Sequence, residues 1–359
     1  MKEAIKDKIE LKAEKNIEYL KELLKDNSDV IFRTFNVGEW KASLVYIDGM
    51  ADKLLLDHYV LEPLMLASKK IDSVEEIKDN VLAVTDMHEV KKLSEGVNSA
   101  LSGDTLMLID ELDYAYVIAT RLWPARGVGD PSGETVIRGA REGFTETIRF
   151  NTALVRRRIR DTRLRVKPKS MGTRSKTDVA IMYIDDIANK GVLDELEHRI
   201  EKINIDALFD SAYIEQLIED NKYSPFPQIQ STERPDVVAA ALYEGRVALL
   251  VDNSPFAIIV PATLPNLFQS PDDYYQRWMH GTMIRFLRMI SIFISLTAPA
   301  LYVAITSYHV DIIPTKLAYA IAASREGVPF PAFVEAIMME IIFALLMEAV
   351  VRLDRKSVV

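Results

Sequence analysis

Residues 289–308 read MISIFISLTAPALYVAITSY, twenty positions without a charged side chain. At 1.5 Å per residue such a helix is about 30 Å long, the thickness of a bilayer's hydrocarbon core. Pro299 sits near the middle, where a membrane helix tolerates proline as a kink or a packing partner. A buried core helix is the alternative reading. Arg277, Arg285 and Arg288 precede the stretch and Asp311 follows it, so the positive-inside bias puts the long N-terminal part in the cytoplasm. A second apolar stretch, AFVEAIMMEIIFALLMEAVV (332–351), carries Glu335, Glu340 and Glu348. Each carboxylate would cost a few kcal/mol in lipid, which argues against a lone span. The expectation is an interfacial helix, or one packed on others with its glutamates toward water or partner subunits.

Upstream, the pattern is that of a soluble α/β region. The 359 residues are 49% apolar and 27% charged with a net charge of −9, which argues against a generic nucleic-acid binder. Cysteine is absent, which excludes disulfides, thiol catalysis, zinc–thiolate sites and iron–sulfur clusters. The five histidines (58, 88, 198, 280, 309) never fall at a metal-ligand spacing. The first 29 residues alternate charges with Ile and Leu and lack the apolar run of an export signal, so the chain is expected to begin in the cytoplasm. DVIFRTF, KASLVYIDGM, DTLMLID and AYVIATRL read as strands, the last two joined by a hairpin at Glu111-Leu112-Asp113. Helical patterns occupy 51–67 and 74–101. After a glycine-rich stretch (126–144), a helix at about 145–160 leads through RLRVKPKSM to the strand TDVAIMYIDDI. Two helices and PDVVAAALYEG follow, then RVALLVD and FAIIVPA flank a hairpin at Asn253-Ser254.

The expected organisation is therefore an α/β chain in units. Residues 1–125 form a first α/β subdomain with a leading helix, 126–144 a linker, and 145–266 a second α/β subdomain. Residues 267–353 form a membrane region: a linker helix capped at Ser270-Pro271-Asp272-Asp273, a transmembrane helix at about 286–308 and an apolar helix at about 331–352. The final hexapeptide DRKSVV (354–359) matches the in-frame translation of a common sequencing adapter, so the natural chain is expected to continue further.

No catalytic motif emerges, and neither a metal nor a cofactor is expected. There is no GxxxxGK[ST], HExxH or GxSxG. Gly127, Gly129 and Gly133 miss the GxGxxG spacing by one position, and an interdomain turn is the plainer reading. Asp110, Glu111 and Asp113 cluster on a hairpin tip, where a solvated turn outweighs a cation site. From Arg156 to Lys176 ten bases (Arg156, Arg157, Arg158, Arg160, Arg163, Arg165, Lys167, Lys169, Arg174, Lys176) face one acid, Asp161. With no aromatic residue to stack bases, anionic headgroups or a neighbouring subunit fit better than nucleic acid; a solvated surface is the bland alternative.

Several blocks carry a resemblance. NIEYLKELLKDNSDVIFRTF, RGVGDPSGETVIRGAREGFTETIRFNTALVRRRIRD, TRSKTDVAIMYIDDIAN and QSTERPDVVAAALYEGRVALLVDNSPFAIIVPAT resemble the A subunits of GerA-type spore germination receptors. The membrane-proximal run from QSPDDYYQRW through SLTAPALYVAIT to FPAFVEAIMMEIIFALLMEA does so too. The resemblance implies a spore inner-membrane protein working with a transporter-like B subunit and a lipoprotein C subunit. It also implies two cytoplasmic α/β subdomains, a multi-span membrane domain, and homo-oligomerisation into a nutrient-gated cation channel, the germinant binding the B subunit. On that reading Glu335, Glu340 and Glu348 line or brace an ion path. Arg156, Arg157, Arg158, Arg160, Arg163 and Arg165 contact subunits or headgroups, and Arg277, Arg285 and Arg288 flank the membrane. A paralogous channel subunit that amplifies ion release and a membrane-tethered regulator with a ligand between its α/β units are the rivals.

Overall fold

Two short connections decide how the strands assemble. β4 (Thr105–Ile109) and β5 (Ala115–Ile118) pair antiparallel across Glu111-Leu112-Asp113, with Thr105 opposite Ile118. β9 (Val247–Val251) and β10 (Ala257–Val260) do the same across Asn253-Ser254. Both turns use a left-handed residue, Glu111 at φ 71° and Asn253 at φ 68°. The computed structural model describes residues 5–67, 74, 77–122, 139–221, 223–224, 226–309, 312–327 and 329–354. Most of the glycine-rich stretch and all but the first residue of the terminal hexapeptide lie outside the described residues.

The first sheet adds β1 (Val30–Val37), β2 (Trp40–Ile47) and β3 (Met87–Val90) in the order β1-β2-β4-β5-β3. The second adds β6 (Leu164–Met171), β7 (Thr177–Ile184) and β8 (Gln230–Thr232) in the order β6-β7-β9-β10-β8. Every pairing within both sheets is antiparallel.

Helices cover both faces of each sheet. On the first, α1 (Ala13–Leu23) and α4 (Leu93–Leu101) pack against Val45, Ile47, Leu106 and Val117. The opposite face is closed by α2 (Lys53–Leu55), a π-helical stretch Leu56–Leu61, α3 (Glu62–Ala67) and a second π-helical stretch Ile77–Val81. On the second sheet α5 (Ile148–Arg158) and α8 (Pro235–Tyr243) cover one face, α6 (Lys190–Lys202) and α7 (Ser211–Ile218) the other. A central strand buried from both sides needs apolar side chains at every position. That is why β4, β5, β9 and β10 are buried throughout and show no polar alternation.

The two sheets repeat one design down to single hydrogen bonds. Asn16 brackets Glu10, donating to its carbonyl (2.7 Å) and accepting from its amide (2.9 Å). Asn151 brackets Thr145 in the same way, at 2.6 and 2.8 Å. Asp110 accepts the Ala13 amide at the start of α1, as Asp252 accepts that of Ile148 at the start of α5. Both asparagines are buried. Truncating either strands a half-buried backbone pair, so Asn16→Ala and Asn151→Ala are each expected to cost about 1–3 kcal/mol. Denaturant unfolding measures this; a loss below a few tenths at either site would refute the shared role.

The segment just before β1 joins the edge strand β6, and so links the repeats. Asn27 bridges Val166 in parallel, the Ser28 amide donates to the Val166 carbonyl (3.1 Å) and the Val166 amide to that of Asp26 (3.1 Å). β6 accommodates Pro168 because it is an edge strand, paired along its length with β7 and on its other side bridged at Val166.

The short helix α9 (Leu264–Leu267) ends the first unit, and residues from 268 onward form a second. The helix expected to run on from Ser270 is two helices, α10 (Asp272–Tyr275) and α11 (Trp278–Ser307). The chain turns extended at Gln276 (ψ 169°) and Arg277 (ψ 142°), and α10 folds back on α11. Serine capping is replaced: the Ser270 amide donates to the Asp273 carboxylate at 3.2 Å. α12 (Thr315–Arg325) and α13 (Ala332–Asp354) complete the unit. Among the described residues α11 is the one helix long and apolar enough to cross a membrane.

Candidate functional site: a carboxylate cleft and a charged elbow on the apolar helix

α13 packs along α11, and a cleft of about 350 Å³ opens between them. Its lining is Pro299 and Tyr302 from α11 with Glu335, Ala336, Met339, Glu340 and Phe343 from α13. The residues 336, 339, 340 and 343 form one face of a helix, so the period that packs α13 also turns Glu340 into the cleft. Pro299 has no amide to donate, which removes one rung from the α11 ladder on this side. Hydroxyls elsewhere in α11 bond to carbonyls one turn back: Ser291 to Leu287 (2.8 Å), Thr297 to Phe293 (2.7 Å) and Thr306 to Tyr302 (2.8 Å).

The three glutamates singled out by sequence are not equivalent. Glu335 pairs with Arg325 of α12 at 3.5 Å, so its charge is braced at the helix start. Glu340 lines the cleft and is exposed there, and Glu348 lies two turns further along α13.

The three arginines at the other end of α11 divide likewise. Arg277 is exposed at the helix N-cap. Arg288 forks onto the fully buried Asp273 carboxylate at 2.7 and 2.9 Å and donates to the Phe268 carbonyl at 2.7 Å. Arg285 approaches the same carboxylate at 3.5 Å and stacks on the Tyr274 ring, 4.5 Å from its centroid. Gly281 makes this fold-back possible. A Cβ there would lie 2.5 Å from the Asp273 carbonyl oxygen. The sequence places Asp273 only in a helix start, because its partners lie 12 and 15 residues ahead, across a helix break that no local pattern announces.

The hydrogen bonds from Arg288 hold the Asp273 carboxyl below the usual carboxylate range, burial opposing them in part. A depressed native value means the elbow's contribution is fully present above the unfolded value, about 3.9. It is lost only as pH falls through the lower native value. Protease protection of 268–288 is therefore expected to hold at pH 5 and to fail only in stronger acid; loss between pH 6 and 5 would contradict this.

The basic run is neutralised from within the chain. Arg156 is fully buried and pairs with Asp29, a placement that takes its guanidinium away from headgroups and partner chains. Arg157 and Arg158 share Glu142, and Arg163 binds Asp161 and Asp186. Arg165 binds Asp185, Lys167 Glu197, Lys169 Glu201 and Arg174 Asp206. Burial pushes the Glu142 carboxyl up, but its two arginines outweigh that and leave it below its ordinary value. Among the described residues Arg160 and Lys176 are the exposed bases of the run without an ion pair within 4 Å. The carboxylate cluster at the first hairpin is structural too: Asp110 caps α1 and Glu111 accepts the Trp40 indole N–H at 3.0 Å. Among the described residues no group of three or more His, Cys, Asp or Glu stands where it would hold a metal ion.

Residues 18–357 match the family described as "Bacillus/Clostridium GerA spore germination protein". The chain is 42% identical over 342 residues to "Uncharacterized membrane protein YfkQ" of Bacillus subtilis (strain 168), covering 95% of this chain and 67% of that protein. It is 42% identical over 317 residues to "Spore germination protein GerLA" of Bacillus cereus, covering 88% of this chain and 64% of that one. It thus spans about two thirds of the length of these relatives. A crystal structure of the N-terminal domain of the A subunit of the Bacillus megaterium spore germinant receptor GerK3 superposes with a TM-score of 0.57 at 32% identity. The match covers 73% of this chain and 99% of that one.

Proposed function

The chain belongs to the Bacillus/Clostridium GerA family of spore germination proteins, and from that premise we propose that it is the A subunit of a nutrient-gated cation channel. It sits in the spore inner membrane with the two sheet units in the cytoplasm. It assembles with further copies of itself, a transporter-like B subunit and a lipoprotein C subunit. Residues 1–125 and 145–266 act as its two cytoplasmic subdomains, with 126–144 between them and the membrane domain after 267.

The observation that carries this reading is Glu340, a carboxylate turned into the cleft beside the apolar helix α11. An ionisable group kept in a membrane region is a functional candidate because lipid penalises it by several kcal/mol. Within the assembly Glu340 lines the cation path, Glu335 braces α13 through Arg325, and Glu348 continues the path. Contact of the basic run with headgroups or a neighbouring subunit falls to Arg160 and Lys176.

Glutamine substitution tests these roles in the complete receptor. Glu340→Gln is expected to reduce nutrient-triggered monovalent cation release at least tenfold, with Glu348→Gln showing a smaller loss. Glu335→Gln is expected to lower the amount of assembled receptor instead. Unchanged release in all three would end the ion-path reading.

A further inference from the structure

We propose that Asp273 is a positioning residue that sets where α11 enters the bilayer. The inference rests on the reading that α11 crosses the membrane, and on nothing about conduction.

Arg285 and Arg288 lie about 10 and 15 Å along α11 from Trp278. On an isolated membrane helix, arginines at that depth would extend toward lipid phosphates. Here their charge is consumed inside the protein. The Asp273 carboxylate is fully buried and accepts from the Arg288 fork and the Ser270 amide, with the Arg285 Nε 3.5 Å away as an ion pair. The Phe268 carbonyl takes a further Arg288 N–H, and the Tyr274 ring covers Arg285.

Gly281 brings the two backbones into contact, so 268–288 forms one block. The uncharged stretch begins at the next residue, Met289, and is long enough for one hydrocarbon core. The water–lipid boundary therefore falls at Arg288–Met289. Without the Asp273 charge, two free cations must seek headgroups, and the helix slides or tilts until they reach them.

These 359 residues contain no cysteine, so labelling of an introduced cysteine is read as the difference from the parent complex. Single cysteines replace Met283, Phe286, Met289 and Phe293, all exposed on α11. The complete receptor, in membranes opened so that both aqueous faces are reachable, is treated with a lipid-impermeant maleimide. The expected pattern is labelling at 283 and 286 and protection at 289 and 293. Asp273→Asn is isosteric and removes only the charge; it is expected to move the boundary by about one turn, changing labelling at 286 or 289 at least threefold. Arg288→Lys keeps the charge but loses the fork, and is expected to move the boundary in the same direction. It also serves if the asparagine variant fails to accumulate. Asp273→Glu keeps the charge and is expected to keep the parent pattern, with 289 protected. Identical labelling in Asp273→Asn, Arg288→Lys and the parent would overturn the proposal. Labelling does not depend on ion release, so failure of the glutamine tests would strike the conduction reading and leave this result intact.

Discussion

Arg156→Met is expected to destabilise the N-terminal unit by about 3–5 kcal/mol, the cost of breaking a buried ion pair from one side. The guanidinium reaches Asp29 at 2.8 and 2.9 Å, the Asn27 side-chain carbonyl at 2.8 Å and the Leu164 carbonyl at 3.3 Å. All of this lies where the segment leading into β1 meets the edge strand β6, beside the Asn27–Val166 bridge. Methionine fills the volume but leaves the buried Asp29 carboxylate without its cation. Arg156→Met with Asp29→Asn is expected to recover part of the loss, because the stranded charge is gone. Guanidinium unfolding followed by circular dichroism reads the difference. A loss under 1 kcal/mol for the single variant would show that the sheets do not depend on this contact.

Gly281→Leu is expected to open the elbow at the base of α11. The obstructing atom is the Asp273 carbonyl oxygen, 2.5 Å from the added Cβ. Backbone cannot swing aside as a flexible side-chain end can, so α10 must leave α11. On the order of 1–3 kcal/mol of overpacking falls on a contact made of four residues of helix. Release would expose the Asp273 carboxylate and free Arg285 and Arg288. Limited proteolysis should then cut within 270–277 at least ten times faster than in the parent; an unchanged rate would mean that the fold-back survives without the glycine.

Much of the N-terminal unit was legible because its signals are local. Glu111-Leu112-Asp113 and Asn253-Ser254 lie between β-branched runs, and both became hairpins. The basic run was not legible, since its acids stand on other elements: Asp29 lies 127 residues before Arg156, and Glu197 lies 30 after Lys167. Composition within a window cannot see partners supplied by tertiary folding.

Short edge strands were missed for a related reason. β3 has four residues and β8 three, too few for a period of two to stand out. Residues 74–101, read as helical, therefore contain a π-helical turn, β3 and α4. RLRVKPKSM, left unassigned among its charges and proline, is β6 apart from its first residue, stabilised by eight pairs with β7. The repeat of one topology in both halves was hidden as well. It survives in Asn16 with Asn151 and Asp110 with Asp252, single residues that no periodicity connects.

In the second unit the apolar stretch around Pro299 and the glutamates of α13 were readable from hydropathy alone. Their inequality was not: Arg325 beside Glu335 and Tyr302 beside Glu340 depend on how three helices pack. The break at Gln276–Arg277 was unreadable because a good helix-start sequence precedes it, and the tertiary pull of Asp273 on Arg288 outweighs continuation of the helix.

The most direct test of the central claim is cation flux through the complete receptor purified into sealed vesicles, measured before and after nutrient addition. The account predicts that flux is negligible without nutrient, rises at least tenfold with it, and falls back when Glu340→Gln replaces the native chain. Nutrient binding without any flux, or a flux indifferent to Glu340, would contradict it.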